Sequence, residues 1–196
     1  MARYSGGVTP LVLLLALAAA DFKIAPAPDS RISLTVEKTG LMRGKKHLFV
    51  FERYQGTLRY DAARPQDAKV EIEIESASAV LKDEWVSPKD HKKIQDYALN
   101  EMLDAANHSK IKFSSSRVDP LGQGRFKVFG TLTIRGIAKP AEVSVAMEER
   151  PGGVLRFEGT STIRMTDYGL KPPTAALGTI GTKDLMTVSF QITATQ

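Results

Sequence analysis

Few residues in this chain have the types and spacing that catalysis or metal binding requires. The three histidines, His47, His91 and His108, do not show the paired spacings of zinc sites, and the chain has no cysteine. No serine stands in the G-x-S-x-G turn that presents a nucleophile in many hydrolases. We therefore expect locally hydrogen-bonded or solvated histidines, and we predict no metal site and no catalytic residue.

Arg164 and Asp167 are the charged residues with the most motif-like setting. An enzyme would need such a pair inside a cavity, but we interpret both residues as bracing the turn after a strand. The glutamates at positions 71, 73 and 75 alternate with Val and Ile, which is typical of the solvated face of a strand. The only tryptophan, Trp85, either lines a ligand site or anchors a loop, and we expect the anchor.

The elements that position these residues are segments in which apolar and polar residues alternate. The clearest is residues 70–75, reading VEIEIE, which predicts a strand with one buried face. Similar or less regular strand patterns cover residues 32–37, 47–54 with 57–60, 111–118, 125–135, 142–147, 155–165 and 186–193. The pattern predicts roughly eight strands, and the short connections predict antiparallel pairing.

An apolar sheet face of this size needs a cover, and the chain has no set of helices to provide one. Closing eight strands into a barrel leaves an interior that is filled by side chains or holds one small ligand. A two-sheet sandwich is the alternative that alternation leaves open. Gly130 and Gly159 fall on inward positions and favour the barrel, because glycines mark strand bends and close approaches. We predict an all-β, eight-stranded antiparallel β-barrel.

One segment has helical spacing instead. Ser87 is suited to cap a helix, and Pro88 suits its first position. An apolar stripe follows at spacings of four, four and three residues, formed by Ile94, Ala98, Met102 and Ala105. We predict one α-helix at about 88–105 that packs outside the barrel or across one of its ends.

The first twenty residues differ from the rest of the chain. Arg3 precedes a continuous apolar run over residues 11–20, and Ala18 and Ala20 form a small-x-small cleavage pattern. We predict a signal peptide at 1–20 that is cut after Ala20, a linker at 21–29, and one domain at 30–196. The protein is then expected to be periplasmic or secreted.

The net charge of +5 is spread among acids and does not form a stripe. Nucleic-acid binders usually concentrate their cations, so we expect no nucleic-acid partner. A weak and transient contact with an anionic membrane surface is compatible with this charge. We also allow for a homodimer.

Four stretches carry a family resemblance. Residues 126–140 read FKVFGTLTIRGIAKP and contain a G-x-L-T-hydrophobic-x-G-x-x-K-P hairpin. KFSS at 112–115, IRMTDYGL at 163–170 and the strand pattern at 181–192 fall in the matching order. In these stretches the chain resembles the YceI-like family of polyisoprenoid-binding proteins, and the resemblance covers residues 30–194.

The resemblance implies a lipocalin-like barrel that is exported to the periplasm. It implies a long isoprenoid ligand, polyprenyl or quinone-type, held along the barrel axis for storage or transport, with no agreed catalytic residue and no other cofactor. Strand parity then gives the apolar lining as ligand-binding candidates. These are Ile32, Leu34, Val36, Phe126, Val128, Leu132, Val143, Val145, Phe157, Ile163, Val188 and Phe190.

Two other functions stay open at this point. One is a small exported hydrolase that acts on a lipid or on a cell-envelope substrate. The other is an envelope stress or interaction module with a solid core and no ligand. Lipid recovered from the purified protein would separate the carrier from the module, and lipid turnover that Asp167→Asn abolishes would favour the hydrolase.

Overall fold

The alternating segments form the strands of one antiparallel sheet that closes on itself. A computed structural model describes residues 19–196 of the chain. The strands are β1 (Ala20–Ile24), β2 (Arg31–Gly40), β3 (Lys46–Phe51), β4 (Tyr54–Tyr60), β5 (Lys69–Glu75), β6 (Ala79–Leu81), β7 (Lys110–Gly122), β8 (Arg125–Ile134), β9 (Ile137–Arg150), β10 (Val154–Arg164) and β11 (Ile180–Thr195).

The barrel wall has eight strand paths, because each of the first three paths is broken into two strands. β1 and β2 share the path beside β11, β4 and β3 form the next, and β5 and β6 form the third. β7 to β10 follow in order, and the ring closes where Ile24 of β1 pairs with Ala194 of β11. The predicted eight-stranded antiparallel barrel is confirmed, and the sandwich is not formed.

The predicted linker is wrong over part of its length. Residues 20–24 are a barrel strand, since β1 pairs with β4 from Ala20 opposite Tyr60 to Ile24 opposite Gly56. The alternation of Phe22 and Ile24, both buried, is too short to stand out in the sequence. The domain therefore begins before residue 30. The predicted signal peptide falls mostly outside the described residues and stays a prediction.

The three breaks in the wall lie side by side. They fall at residues 25–30, at residues 52–53 and at the 3₁₀ turn Ser76–Ser78. Backbone hydrogen bonds from Glu52 to Ser78 and from Glu75 to Arg53 tie the second and third breaks together. An interrupted ladder bends a sheet locally. The strands β2, β3 and β6 therefore form a separate part of the wall on one side of the breaks, and β1, β4 and β5 lie on the other side.

The helix completes the wall where strands are missing. β6 has β3 on one edge and no strand on the other, because the chain leaves β6 for α1 (Pro88–Tyr97) and a π-type turn (Ala98–Met102) before β7. The Gln95 side chain replaces the missing strand, since its Oε1 accepts from Leu81 N at 2.7 Å and its Nε2 donates to Ala79 O at 2.7 Å. His91 Nε2 donates to Leu81 O at 3.0 Å. These bonds satisfy backbone groups that would otherwise be orphaned on an edge strand.

Both ends of the helical segment have clear physical causes. Ser87 caps the start, as predicted, and its Oγ accepts from Asp90 N at 3.2 Å. The predicted end at residue 105 is too late, because Asp104 adopts a positive φ and the helical turns stop at Met102. Arg135 donates to the last helical carbonyls, that of Glu101 at 3.0 Å and that of Met102 at 3.4 Å.

The two inward glycines make room for aromatic rings. A Cβ on Gly130 would lie 2.8 Å from the ring of Phe113, and one on Gly159 would lie 2.3 Å from the ring of Phe190. Each ring thus lies against a bare backbone on the inner side of the wall. The inward reading of these glycines is confirmed.

The two ends of the barrel differ. The closed end carries the turns 61–68, 122–125 and 150–154, and the first of these folds inward so that Pro65 and Ala68 cover the interior. The other end, which we call the mouth, carries α1, the turn after β8, and the loops that follow β2 and β10. Of the two predicted helix positions, the structure has the one at an end. Among residues 19–196, no helix is both long and apolar enough to span a membrane.

Gln95→Leu is expected to lower the free energy of unfolding by about 1–3 kcal/mol, because it leaves the β6 backbone groups unpaired. Urea unfolding followed by circular dichroism measures this loss. Lys92→Ala on the same helix is the control, because it removes only an exposed ion pair with Asp96 and should cost about 0.5 kcal/mol or less. Equal losses in the two variants would contradict the role given to Gln95.

Candidate functional site

The barrel interior contains a cavity in two adjoining parts. The inner part, of about 160 Å³, reaches toward the closed end, and the outer part, of about 660 Å³, reaches the mouth. Four residues line both parts and form what we call the neck: Ile32, Ile74, Leu132 and Val188. The total space is in the range of sites that hold a whole small molecule.

All twelve lining residues proposed from strand parity face this cavity. The inner part is lined by Phe126, Val128, Val143, Val145, Phe157 and Phe190, the outer part by Leu34, Val36 and Ile163, and the neck includes Ile32, Leu132 and Val188. One parity assignment holds for the predicted positions on each of β2, β8, β9, β10 and β11. The pairing of β11 with β2 shifts register only before Met186, outside the predicted strand segment. Contact of these residues with a ligand stays a prediction.

The interior is not filled by side chains. Seven of the twelve residues are only half-buried although they point inward, namely Leu34, Leu132, Val143, Val145, Phe157, Val188 and Phe190. Side chains in a close-packed core have little exposed surface. The surface that remains accessible on these residues therefore faces the cavity, and the solid-core alternative does not fit this barrel.

The inner part of the cavity offers almost no polar contact. Only Tyr60 and Ser161 among its lining residues have polar side chains. The hydroxyl of Ser161 is engaged, since it donates to Glu142 O at 2.7 Å. Burial raises the pKa of the Tyr60 phenol, and the charge of Glu149 adds to that shift. A ligand that enters this part meets aliphatic and aromatic carbon.

The outer part gains polar groups toward the mouth. Lys38 lies on the inward face of β2, one position beyond the alternation of Leu34 and Val36. Burial lowers the pKa of its ammonium group, and Lys38 forms no ion pair with any residue that the structure describes. On the helix side, Asp90 and Lys93 also line the cavity, and both are exposed to solvent. The cavity therefore opens to solvent between α1 and β2.

Trp85 both anchors its loop and lines the outer cavity. Its Nε1 donates to Lys46 O at 3.0 Å, and its ring stacks on His47 with centroids 5.3 Å apart. His47 in turn hydrogen-bonds through Nδ1 to Asp83 Oδ2 at 2.5 Å, and Asp83 Oδ1 accepts from Leu48 N. The expected anchor is confirmed. The same ring also lines the cavity, and its contact with a ligand stays a prediction.

The three histidines are local structural groups. His47 pairs with Asp83, His91 bonds to the β6 edge, and His108 Nε2 lies 3.6 Å from Asp104 Oδ2. Across residues 19–196, no three His, Asp or Glu side chains converge in a way that could hold a metal ion.

The charged pair singled out in the sequence lies outside the cavity. Arg164 and Asp167 are both exposed at the end of β10, and neither lines the interior. The turn is braced by a different carboxylate, Asp184, which accepts from the backbone N–H and from the hydroxyl of Thr166. The Thr166 backbone bond holds the pKa of Asp184 low. Arg164 assists at 3.6 Å, so our assignment of Asp167 to this role is wrong.

The row of glutamates on β5 faces solvent, as expected, and makes ion pairs across the strands. Glu73 pairs with Lys112 at 2.8 Å, and Glu75 pairs with Arg53 at 2.5 Å. These bonds lower the pKa values of both glutamates. The row therefore belongs to the outer wall and not to a cation site.

Several lining residues could not be found by strand parity. The helical stripe contributes Ile94, Ala98 and Met102, and their half-burial again reflects the open cavity beneath them. Met165 and Tyr168 reach the outer part from the turn after β10. The helical stripe was visible in the sequence, but only the tertiary structure shows that its partner is a cavity.

Comparison with known proteins gives a consistent family and fold. A family model described as YceI-like domain matches residues 22–194. A UPF0312 protein of Pseudomonas savastanoi pv. phaseolicola is 32% identical over 132 residues, which are 63% of this chain and 63% of the relative. A UPF0312 protein of Shewanella baltica is 31% identical over 126 residues, 62% of each chain. The match thus spans less than two thirds of the length of these relatives.

Two solved structures share the fold at low identity. The crystal structure of Burkholderia cenocepacia BcnA has a TM-score of 0.68 and 22% identity, and the match covers 85% of this chain and 96% of that one. A structure described as a polyisoprenoid binding domain from Saccharophagus degradans, implicated in plant cell wall breakdown, has a TM-score of 0.60 and 14% identity. That match covers 88% of this chain and 97% of the other.

The free energy of unfolding should fall at high pH because Tyr168 is buried. Burial raises the pKa of Tyr168 to about 12, so the folded state keeps this phenol neutral where the unfolded chain, with a pKa near 10, already ionises. The contribution is complete below pH 10 and is lost as the pH rises toward 12. We expect Tyr168→Phe to lose less stability than the parent between pH 10 and 12, in urea unfolding at each pH. The difference between the two proteins at pH 8 is the control, and parallel losses would contradict this assignment.

Proposed function

Since the chain belongs to the YceI-like domain family, we propose that it binds a long apolar isoprenoid lipid, polyprenyl or quinone-type, inside the barrel. The observation that carries this proposal is the unfilled interior, in which an almost wholly apolar inner part adjoins, at the neck, a larger outer part that gains polar groups toward the mouth. The polyisoprenoid-binding description of the Saccharophagus degradans structure supports the same ligand class. The protein would store or transport this lipid after export.

The physical basis of binding is burial of hydrocarbon. Each methylene that leaves water contributes about 0.8 kcal/mol. The half-buried wall residues add to this, because a ligand would also cover their accessible apolar surface. Such binding needs no precisely placed polar group, and the inner cavity provides only Tyr60 and Ser161. A flexible hydrocarbon chain suits this site better than a polar substrate does.

The polarity of the lining also orients the ligand. A hydrocarbon tail would occupy the inner part, where the walls are carbon, and a polar head would stay near Lys38, Trp85 and Lys93 at the mouth. An unpaired ammonium at the edge of an apolar space is costly unless it keeps water or gains a polar partner. In this orientation the polar head of the ligand is the partner of the Lys38 ammonium group.

The enzymatic alternative has no support in the geometry of the cavity. The acid–base pair that it invoked, Arg164 and Asp167, lies on the outer surface. Binding without turnover is therefore the function we propose. A homodimer remains a separate proposal on which this site does not depend.

Lipid should be recovered from the native protein. Purification without detergent from its own host, followed by organic extraction and mass spectrometry, is expected to release an isoprenoid species at up to one molecule per chain. A protein of the same host purified in parallel serves as the control for carry-over. Repeated recovery of no lipid, together with failure of the emptied protein to take up a fluorescent polyprenyl analogue, would contradict the proposal.

Blocking the neck should separate the two parts of the cavity. Val188→Trp places an indole between them, and we expect at least a tenfold loss of affinity for a long polyprenyl analogue and a smaller loss for a short one. Thr187→Trp is the matched control, because the adjacent position on β11 does not line the cavity. Fluorescence titration gives the dissociation constants. Equal effects of the two substitutions would contradict a ligand that passes the neck.

A further inference from the structure

The loops beside the mouth have a charge pattern unlike the rest of the chain. Residues 38–51, the loop after β2 with the strand residues beside it, contain no aspartate or glutamate, and residues 165–183, the loop after β10 with the start of β11, contain one, Asp167. Together they contain six cations, which are Lys38, Arg43, Lys45, Lys46, Lys171 and Lys183. Glu37 on the adjoining strand pairs with Lys46 and Lys183. Arg43 and Lys171 are exposed, and neither forms an ion pair with a residue in the described part of the chain.

The closed end has the opposite character. Its turns at residues 61–68, 122–125 and 150–154, together with the adjoining strand ends at 119–121 and 148–149, carry five carboxylates and three arginines. Several of these charges neutralise each other, as Arg64 does with Asp61 at 3.1 Å and Arg150 with Glu148 at 3.1 Å. The two loops beside the mouth therefore carry an excess of cations that the turns of the closed end lack.

The same two loops also present bare leucines. Leu41 is 80% exposed at the tip after β2, and Leu177 is fully exposed at the tip of the loop before β11. The loops are joined, because Leu41 N donates to Thr179 O at 3.1 Å and Gly40 pairs with Ile180. Gly40 allows this approach, since a Cβ there would lie 2.0 Å from Thr179 O. We call Leu41, Leu177, Arg43 and Lys171 the rim.

The rim adjoins the lining of the cavity. Met42, next to Leu41, lines the outer part, and so do Thr174, Ala175 and Ile180 from the second loop. Whatever the rim contacts is therefore also placed at the opening through which a ligand passes.

We propose that the rim docks the mouth of the barrel on an anionic lipid bilayer, with Leu41 and Leu177 inserted among the acyl chains and the cations against the headgroups. Exposed apolar tips within a cationic surface are the combination that interfacial binding uses, because burial of hydrocarbon and attraction to anionic lipid add together. The docking itself does not require the proposed function. Only the cargo rests on it: an apolar lipid bound in the cavity would pass between the bilayer and the barrel without crossing water.

Co-sedimentation of the emptied protein with vesicles tests the docking. Binding to phosphatidylglycerol vesicles is expected, with much weaker binding to phosphatidylcholine vesicles and a steep loss as salt is raised. Arg43→Gln with Lys171→Gln should weaken binding by about 30-fold, since each cation near an anionic surface contributes about a fivefold factor. Leu41→Asn with Leu177→Asn should weaken it by at least about tenfold. Asn is chosen because it tolerates the positive φ of Leu177.

The closed end offers matched controls. Leu121 is 56% exposed there and Arg125 is exposed beside it. Leu121→Asn with Arg125→Gln should leave vesicle binding within about twofold of the parent, because this end is not the docking face. An equal loss in these controls, or no preference for the anionic vesicles, would overturn the proposal. Self-association that Leu41→Asn abolishes, without vesicle binding, would assign the rim to a second copy and would also overturn it.

A second readout keeps the docking distinct from the proposed function. The rim variants should bind a fluorescent polyprenyl analogue in vesicle-free buffer as the parent does, because none of the four rim residues lines the cavity. Analogue binding without vesicle binding would refute the docking and leave the proposed function standing. Vesicle binding without analogue binding would support the docking and refute the proposed function.

Discussion

The structure depends on one constraint: a sheet with a single apolar face must cover that face, and here it covers it by closing on itself. Closure is secured by the pairing of β1 with the end of β11. It turns every inward residue of the long strands toward one shared axis, but it does not bring their side chains into full contact. The result is a wall of paired strands, completed by α1 beside β6, around an interior that lacks part of its packing.

That unfilled interior links stability to function. Wall residues that have no neighbour on one side lose dispersion contacts that a packed core would provide. A hydrocarbon ligand restores those contacts, so the free energy that the empty barrel lacks is available for binding. The stability of the barrel then rises with the logarithm of the ligand concentration once that concentration exceeds the dissociation constant. The glycines opposite Phe113 and Phe190 serve the same arrangement, because they let two large rings lie close to the wall.

The strands and the lining could be predicted because a single periodicity encodes both. Once residues alternate, the assignment of one residue to the inner face fixes the faces of all residues in that strand. On β8, β9, β10 and β11 most of the large apolar residues occupy the inner face, so a shift of one residue would turn them toward solvent. Short-range chemistry also allowed the Ser87 cap to be recognised. These features depend on residues that are near one another in sequence, which is why the chain alone reveals them.

The features that could not be predicted arise from long-range contacts. The sequence does not reveal β1, because the residues that pair with it lie some 35 and 170 positions away in β4 and β11. Proximity in sequence points to Asp167 as the residue that braces the turn after β10. The residue that does so is Asp184, which reaches the turn from the next strand. The helical stripe predicted an apolar contact but not its occupant, since amphipathicity has the same form whether a helix faces a packed core or a cavity.

The way α1 is attached has a dynamic consequence. Strands of the wall are held by ladders of backbone bonds, whereas α1 is attached to β6 by the side chains of Gln95 and His91. The apolar residues on its inner face are only half-buried because part of that face lies over the cavity, so less packing is lost when it moves than when a wall strand moves. Segments with few buried contacts and few shielded hydrogen bonds open at the lowest free energy. The helix is therefore the section of the wall that undocks first, and amide hydrogen exchange in β6 should proceed through excursions that leave the other strands closed.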